Sequence, residues 1–337
     1  KELDIYTKHR DISLNAKGSI YLNESRNHNI DLNLHDATIT NEGWEFIEEK
    51  LPYLHAMIPS EVVRIGHITA QGNLRSNSTQ GNITLDIDSD AGTIQARANI
   101  DNKGYYTTHI TGKDINIAKA IPTSPLPRTD MILQAEGTIT DMQSLLSGKQ
   151  GLTIPTGTFK GMATQTILMG YEYKNIQLNG AYSPHIYSGK IAIDDPNGQL
   201  NLQARYDESQ LQPQYTAQIV ADSINLHALN LIDIHEGRSF SARLNGNIKG
   251  KQFNHMTGSI KIDSLTMHRE GDDYSINSIA LYSFESETKT LSLNSDFMNA
   301  AVKGDFTYQT IMRSLLAHLH DYLPSLCPSH NHRHITS

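Results

Sequence analysis

The 337-residue sequence lacks the features that nucleic-acid-binding proteins and disulfide-stabilised proteins depend on. Its one cysteine, Cys327, excludes a disulfide within the chain. Charged residues make up 19% of the sequence, against about 25% in a typical domain. The formal net charge is −8, and lysine and arginine form no cluster that could contact phosphates. We therefore expect no nucleic-acid partner.

Long apolar runs and a signal peptide are also missing. The sequence starts at Lys1 and enters a strand pattern almost at once. We expect it to be a segment of a longer chain, with targeting signals outside the segment.

Motifs for common catalytic sites are absent as well: there is no Gly-x-Ser-x-Gly, P-loop, Rossmann fingerprint or His-Glu-x-x-His. Asp194 and Asp195 are adjacent carboxylates, but Pro196 and Gly198 follow, which is typical of a hairpin turn. The histidines share no common spacing, and the β-propensity of tyrosine accounts for the 15 tyrosines. We predict no catalytic residues, no cofactor and no enzymatic activity.

The C-terminal residues Cys327, His330, His332 and His334 are the best candidates for a metal site. Structural zinc sites usually join two ligand clusters across a folded loop, whereas these residues lie in one polar run. We predict that residues 327–337 form a disordered tail without metal.

The most informative feature present is an internal repeat of about 108 residues. Gly81-Asn-Ile83 and Gly92-Thr-Ile94 recur as Gly189-Lys-Ile191 and Gly198-Gln-Leu200, and Ile115-Asn-Ile117 recurs as Ile224-Asn-Leu226. A weaker third copy begins at Leu244. Such repeats indicate units that stack on their neighbours and form an elongated molecule.

Apolar and polar residues alternate through most of the chain, as in Ile83-Thr-Leu-Asp-Ile87. This period of two predicts strands with one apolar and one wet face, and short turn signals between them favour antiparallel hairpins. We predict a mainly β fold of about 15–17 strands, in which one long antiparallel, repeat-built sheet curls into a U-shaped groove with short amphipathic helices.

Two segments have helical periodicity. Trp44, Ile47, Leu51, Leu54 and Ile58 predict a helix with Asn41 as its N-cap and a kink at Pro52, and a similar stripe follows Thr310. We divide the chain into strands that end a preceding unit (1–40), a helix (41–60), the groove segment (61–308), a helix that opens a further unit (309–326) and the tail (327–337).

The period-two register selects candidate groove residues on the apolar face. They are Ile83, Leu85, Ile87, Ile176, Leu178, Ile191, Ile193, Leu200, Leu202, Ile260 and Ile262. Periodicity does not distinguish an open groove that receives acyl chains from the closed core of a sandwich. Both readings stay open at this point.

The helix ending in Leu-Pro-x-Leu, the Gly-x-Ile/Leu strand starts, and the runs 187–198 and 224–231 resemble the TamB large subunit of the translocation and assembly module, of the Bacteroidota type, within the AsmA-like superfamily. The resemblance implies a periplasmic protein with an inner-membrane anchor and a long β-sheet groove. It also implies phospholipid acyl chains as ligand, an Omp85-type outer-membrane barrel as partner, and a role in lipid transport between the membranes or in outer-membrane protein assembly. The family's anchor helix and barrel-contacting domain have no match here.

The alternative function is that of a secreted or surface adhesin built as a β-solenoid. Solenoid coils repeat every 20–30 residues or so, and this repeat is about four times longer. An enzyme that cleaves glycans is disfavoured because no carboxylate cluster stands out.

Overall fold

The computed structural model describes residues 1–22, 28–56, 58–122, 124, 128–139, 155–231, 237–269 and 272–311. Strands dominate these residues. They are β1 (Glu2–Lys8), β2 (Ile12–Leu22), β3 (His28–Ile39), β4 (Ile68–Asn77), β5 (Gln80–Ser89), β6 (Gly92–Asp101), β7 (Tyr105–Ile115), β8 (Arg128–Thr138), β9 (Thr156–Leu168), β10 (Tyr171–Ser183), β11 (Ile186–Asp195), β12 (Gly198–Asp207), β13 (Gln214–Ile224), β14 (Arg238–Lys249), β15 (Thr257–Arg269), β16 (Asp272–Glu285), β17 (Lys289–Ser295) and β18 (Asn299–Gly304).

All 18 strands belong to one sheet, and each strand pairs antiparallel with the strands before and after it in sequence. The sheet is therefore a continuous meander, which extends for about 80 Å at about 4.8 Å per strand. Alternating apolar residues form these strands because one face of each strand is shielded and the other is wet. The predicted fold class is confirmed: a mainly β, open antiparallel sheet with few short helices, consistent with a curled, repeat-built sheet.

The repeat seen in the sequence is also a structural repeat. β4–β7 correspond to β10–β13, and Gly92 and Gly198 begin equivalent strands with positive φ angles of 109° and 142°. Just past the last strand of each unit, the backbone N–H of Asn116 donates to Ala91, and that of Asn225 donates to Asn197, both at 2.8 Å. The same hydrogen bond thus closes both units.

Most of the helical segments lie in connections that follow odd-numbered strands, at the end of the sheet that we call the helix end. They are α1 (Asn41–Lys50), α2 (Pro52–His55), α3 (Ser60–Arg64) and α4 (Ile117–Ala120), together with a turn at residues 225–231. A 3-10 helix (Phe253–His255) follows β14 and a helical turn at residues 308–311 follows β18, so both lie at the opposite end. The predicted N-cap was wrong by one residue, because the Thr40 hydroxyl accepts the hydrogen bond from Gly43 N–H at 3.1 Å. The helix ends before Pro52, since proline cannot donate the next helical hydrogen bond.

Few large side chains are buried. Trp44, which donates its indole N–H to the Gly66 carbonyl at 2.7 Å, and Ile47 anchor α1. Among the described residues, no large side chain is fully shielded from solvent. The sheet thus encloses no compact core comparable to that of a globular domain.

Some of the predicted segment boundaries can be compared with the described residues, and others lie outside them. β1–β3 are the strands expected in residues 1–40, and they continue directly into the same sheet through the β3–β4 pairing. Residues 308–311 are helical, as expected for the start of the second helix. The rest of that helix and the predicted tail, with Cys327, lie outside the described residues.

Candidate functional site

One face of the sheet carries a row of small and aliphatic residues at matching positions of eleven successive strands. Cross-strand pairing links them in the order Leu85, Ala96, Ile110, Leu133, Gly161, Leu178, Ile191, Leu202, Ile219, Leu244 and Ile262. Facing residues of neighbouring strands project to the same side, so this row forms a continuous apolar path across the strands. We call this side of the sheet the apolar face.

All of the predicted groove residues lie on the apolar face. Leu85, Leu178, Ile191, Leu202 and Ile262 belong to the row itself, and the other six lie two residues away along the same strands. None of the eleven is buried, and Ile83 is 44% exposed. A closed sandwich core would bury such side chains, so their partial exposure favours the open reading.

A cavity of about 650 Å³ lies on this face, over β8–β14. In a flat sheet these seven strands would span about 29 Å, so a shared cavity requires the sheet to curve around it. Ile176, Leu178, Ile191, Ile193 and Leu200 line the cavity, while the other six predicted residues lie outside it. The sequence could not single out these five, because periodicity does not locate the curvature.

Two connections, α4 and the 225–231 turn, cover the cavity at the helix end. α4 contributes Ile117, and the 225–231 turn contributes Leu226, Leu229 and Leu231. Leu229 is only 3% exposed and fixes the turn against the sheet. The two equivalent connections of the repeat therefore act as a lid over the cavity, because each unit ends with an apolar residue directed at the sheet.

The polar side chains in the cavity wall are two threonines, which hydrogen-bond to each other, and a tyrosine, whose phenol is neutral. Thr129 and Thr166 hydrogen-bond through their hydroxyls at 2.8 Å, and Thr129 also donates to the Gln165 carbonyl. Burial, with the negative charge of Asp195 nearby, raises the pKa of Tyr173 above its usual value. The remaining lining residues are aliphatic, aromatic or glycine, so the cavity suits an apolar ligand without charge.

Sequence reasoning missed a row of tyrosines on the apolar face near the opposite end of the strands. Tyr182, Tyr187, Tyr206 and Tyr215 face one another in register on β10–β13, and we call them the tyrosine row. Ring centroids lie 6.1 Å apart for Tyr187 and Tyr206, and 4.9 Å apart for Tyr206 and Tyr215. Their positions in sequence follow no motif, so only the strand register shows the row.

The tyrosine row extends to β7 over two glycines. The Tyr106 hydroxyl hydrogen-bonds to that of Tyr182, although β8 and β9 lie between their strands. Gly137 and Gly157 face each other beneath this contact, and a Cβ on Gly157 would lie 2.8 Å and 2.9 Å from the two hydroxyls. The missing side chains of the two glycines allow the aromatic rings to meet.

The carboxylates and histidines singled out in the sequence lie in turns and in single ion pairs. Within the ranges that the structure describes, no group of three or more His, Cys, Asp or Glu side chains is placed to hold a metal ion. Asp195 caps the β11–β12 turn, where it accepts hydrogen bonds from the Tyr171 hydroxyl and Asn197 N–H at 2.6 and 2.9 Å. His255 and His268 pair singly with Glu285 and Asp273.

None of the helices in the described ranges combines the length and the apolar character needed to cross a membrane. No protein-family model, curated protein or solved structure matches the chain. The resemblance to the TamB family therefore stays a prediction, and the fold and the apolar face carry the functional argument.

Proposed function

We propose that this chain is a lipid-carrying segment of a cell-envelope protein, whose apolar face shields phospholipid acyl chains as they pass between two membranes. The observation that carries the proposal is the continuous apolar row across β5–β15, whose side chains remain partly exposed. Such a surface is costly in water unless a ligand covers it for part of the time.

The magnitude of the barrier explains why a groove suffices without a catalytic residue. Burial of one CH₂ group is worth about 0.8 kcal/mol, so an acyl chain of about 16 carbons faces a cost of about 13 kcal/mol in water. A continuous apolar path removes most of this cost along its length. Lipid movement then needs no bond chemistry.

The TamB resemblance supplies the cellular setting of the proposal. In that setting the groove lies in the periplasm. Other parts of the parent chain anchor it in the inner membrane and contact an Omp85-type barrel. Assembly of outer-membrane proteins is a further role. The adhesin alternative was a parallel solenoid, whereas the described strands form antiparallel hairpins. This difference in architecture favours the lipid-carrying function.

The test is transfer of a fluorescent phospholipid between donor and acceptor vesicles in the presence of the purified chain. We expect transfer above the vesicle-only rate, and loss of that transfer in the double variant Ile191→Asp/Ile193→Asp. Two carboxylates on the groove floor would oppose passage of an acyl chain, because burial of an unpaired charge costs several kcal/mol.

The matched control is Ala192→Asp/Gln203→Asp, which adds the same charge to the opposite face of β11 and β12. It should transfer lipid as well as the parent chain. Circular dichroism and protease resistance should show that both double variants fold, since Ile191 and Ile193 are only half-buried. Unfolding of the first variant alone would mean a closed core, and equal transfer by both variants would also contradict the proposal.

A further inference from the structure

The apolar face changes chemical character along the strands as well as across them. On β12, Gly198 and Leu200 line the capped cavity, Leu202 and Ala204 follow on the same face, and Tyr206 closes the series. β11 shows the same progression from Ile191 and Ile193 to Tyr187, and β10 runs from Ile176 and Leu178 to Tyr182, with the buried Tyr173 at its cavity end. The lid over the cavity consists of leucines, whereas the other end of the strands presents a partly exposed row of aromatic rings with hydroxyl groups.

Tyrosine is suited to the boundary between hydrocarbon and polar groups, because its ring is apolar and its hydroxyl forms hydrogen bonds. In the tyrosine row, the Tyr206 hydroxyl donates to Glu208 at 2.7 Å, and Tyr182 pairs with Tyr106. The Tyr187 hydroxyl makes no hydrogen bond to any described residue, and its side chain is partly exposed. One donor is thus available to a ligand.

The distance from the tyrosine row to the cavity matches the length of one acyl chain. Tyr187 precedes Ile191 by four residues and Ile193 by six, which corresponds to about 13 and 20 Å along a strand. An acyl chain in one leaflet spans about 15 Å, half the thickness of the hydrocarbon core. A chain that starts at the tyrosine row therefore ends inside the mouth of the cavity.

We propose that β10–β13 form a station for a single phospholipid, which lies along the strands with its ester and phosphate groups at the tyrosine row and its acyl ends in the capped cavity. This rests on the proposed function, and adds a fixed site and a fixed orientation to it. The leucine lid at residues 225–231 sets the depth to which the chain enters.

Two tryptophan reporters test the orientation. Leu226→Trp places an indole in the lid, and Tyr215→Trp places one in the tyrosine row; Trp44, in α1 and outside the cavity, remains as a constant background. The probes are phosphatidylcholines brominated either near the ester or near the methyl end of the acyl chain, since bromine quenches indole fluorescence at short range. If Leu226→Trp does not fold, Leu200→Trp replaces it on the cavity wall.

We expect methyl-end bromine to quench the lid reporter more than the row reporter, and ester-end bromine to show the opposite preference. Equal quenching of both reporters by both probes would leave lipid binding intact but overturn the station. If neither reporter is quenched by either probe, no lipid binds at this face, and both the proposed function and the station are overturned.

A second measurement tests the hydroxyl of the tyrosine row. Tyr187→Phe keeps the ring and should weaken phosphatidylcholine binding about fivefold, the effect of one hydrogen bond of about 1 kcal/mol. Tyr105→Phe is the matched control, because Tyr105 lies on the opposite face and bonds Glu136 at 2.8 Å. Unchanged affinity in Tyr187→Phe, or equal weakening in both variants, would contradict a headgroup at the row.

Discussion

Lys289 is a charged side chain that the fold shields almost completely, with 7% exposure. Its ammonium group donates to the backbone carbonyls of Asn254 and Phe306, the latter at 2.9 Å. It also lies 5.2 Å from the ring centroid of Phe306 and 4.8 Å from that of Tyr308. These contacts attach the segment after β18 to the connection between β14 and β15.

We predict that Lys289→Met lowers the free energy of unfolding by about 1–3 kcal/mol, because two partly buried carbonyls lose their charged donor. The measurement is urea denaturation followed by circular dichroism. Lys261→Met is the control: this exposed lysine lies 5.9 Å from the Tyr282 ring centroid, a contact worth about 0.5–1 kcal/mol. Equal losses in the two variants would show that the carbonyl contacts of Lys289 contribute nothing.

The contribution of Tyr206 to the stability of the fold depends on pH. Its hydroxyl donates to the Glu208 carboxylate, and this hydrogen bond raises the pKa of Tyr206 from its ordinary value of 10.0 to about 12. A raised pKa favours the neutral phenol in the folded chain, so its contribution to stability is complete below pH 10 and is lost as the pH rises through about 12.

We predict that the absorbance of tyrosinate, followed during alkaline titration, rises late for several tyrosines, and that Tyr206→Phe removes one tyrosine's share of the rise near pH 12. Glu208→Gln should shift this share toward lower pH, because the neutral amide favours the phenol less than the carboxylate does. An unchanged titration curve in both variants would refute the assignment.

Among the elements, the β8–β9 pair depends on two facing glycines for the contact between Tyr106 and Tyr182. We predict that Gly157→Ala lowers the free energy of unfolding by about 1–3 kcal/mol, because overpacking displaces the two rings. The new Cβ would also lie 2.4 Å from the Glu136 carbonyl oxygen. Thermal denaturation measures the effect.

Gly189→Ala is the matched control on β11. A Cβ there would meet only the Asn179 carbonyl oxygen, at 3.6 Å. We expect it to leave stability unchanged or to raise it by up to about 1 kcal/mol, since alanine restricts the unfolded chain more than glycine does. A destabilised Gly189→Ala, or a fully stable Gly157→Ala, would contradict this account of the glycines.

The strands and turns also show how much of the fold the sequence predicts. Alternation predicts the strands and their shared face, and the repeat of Gly92 and Gly198 predicts equivalent units, because these signals are local. The tyrosine row joins Tyr182, Tyr187 and Tyr206 through cross-strand register, which depends on the length of each hairpin. The N-cap at Thr40 was missed because Asn41 offers a similar side-chain acceptor.

For the whole molecule, the sequence predicts an open antiparallel sheet but not where that sheet curves. The eleven candidate residues share one face as expected, yet only the five on β10–β12 line the cavity. Ile83 and Leu85 have the same periodicity as Ile191 and Ile193 and differ in what covers them. The lid over β10–β13 comes from the 225–231 turn, whose contact with the sheet is tertiary.

The central claim is that the apolar face, and not the polar one, meets lipid along the whole sheet. The most direct measurement is to place a photoreactive phenylalanine analogue at single positions and to detect lipid adducts by mass spectrometry after irradiation in the presence of phospholipid vesicles. Ile83, Ile191 and Ile262 sample the apolar face on β5, β11 and β15, and Thr84, Lys190 and Lys261 are their neighbours on the opposite face. We predict adducts at the first three positions and none at the other three. Adducts at the polar positions, or equal yields on both faces, would contradict the account.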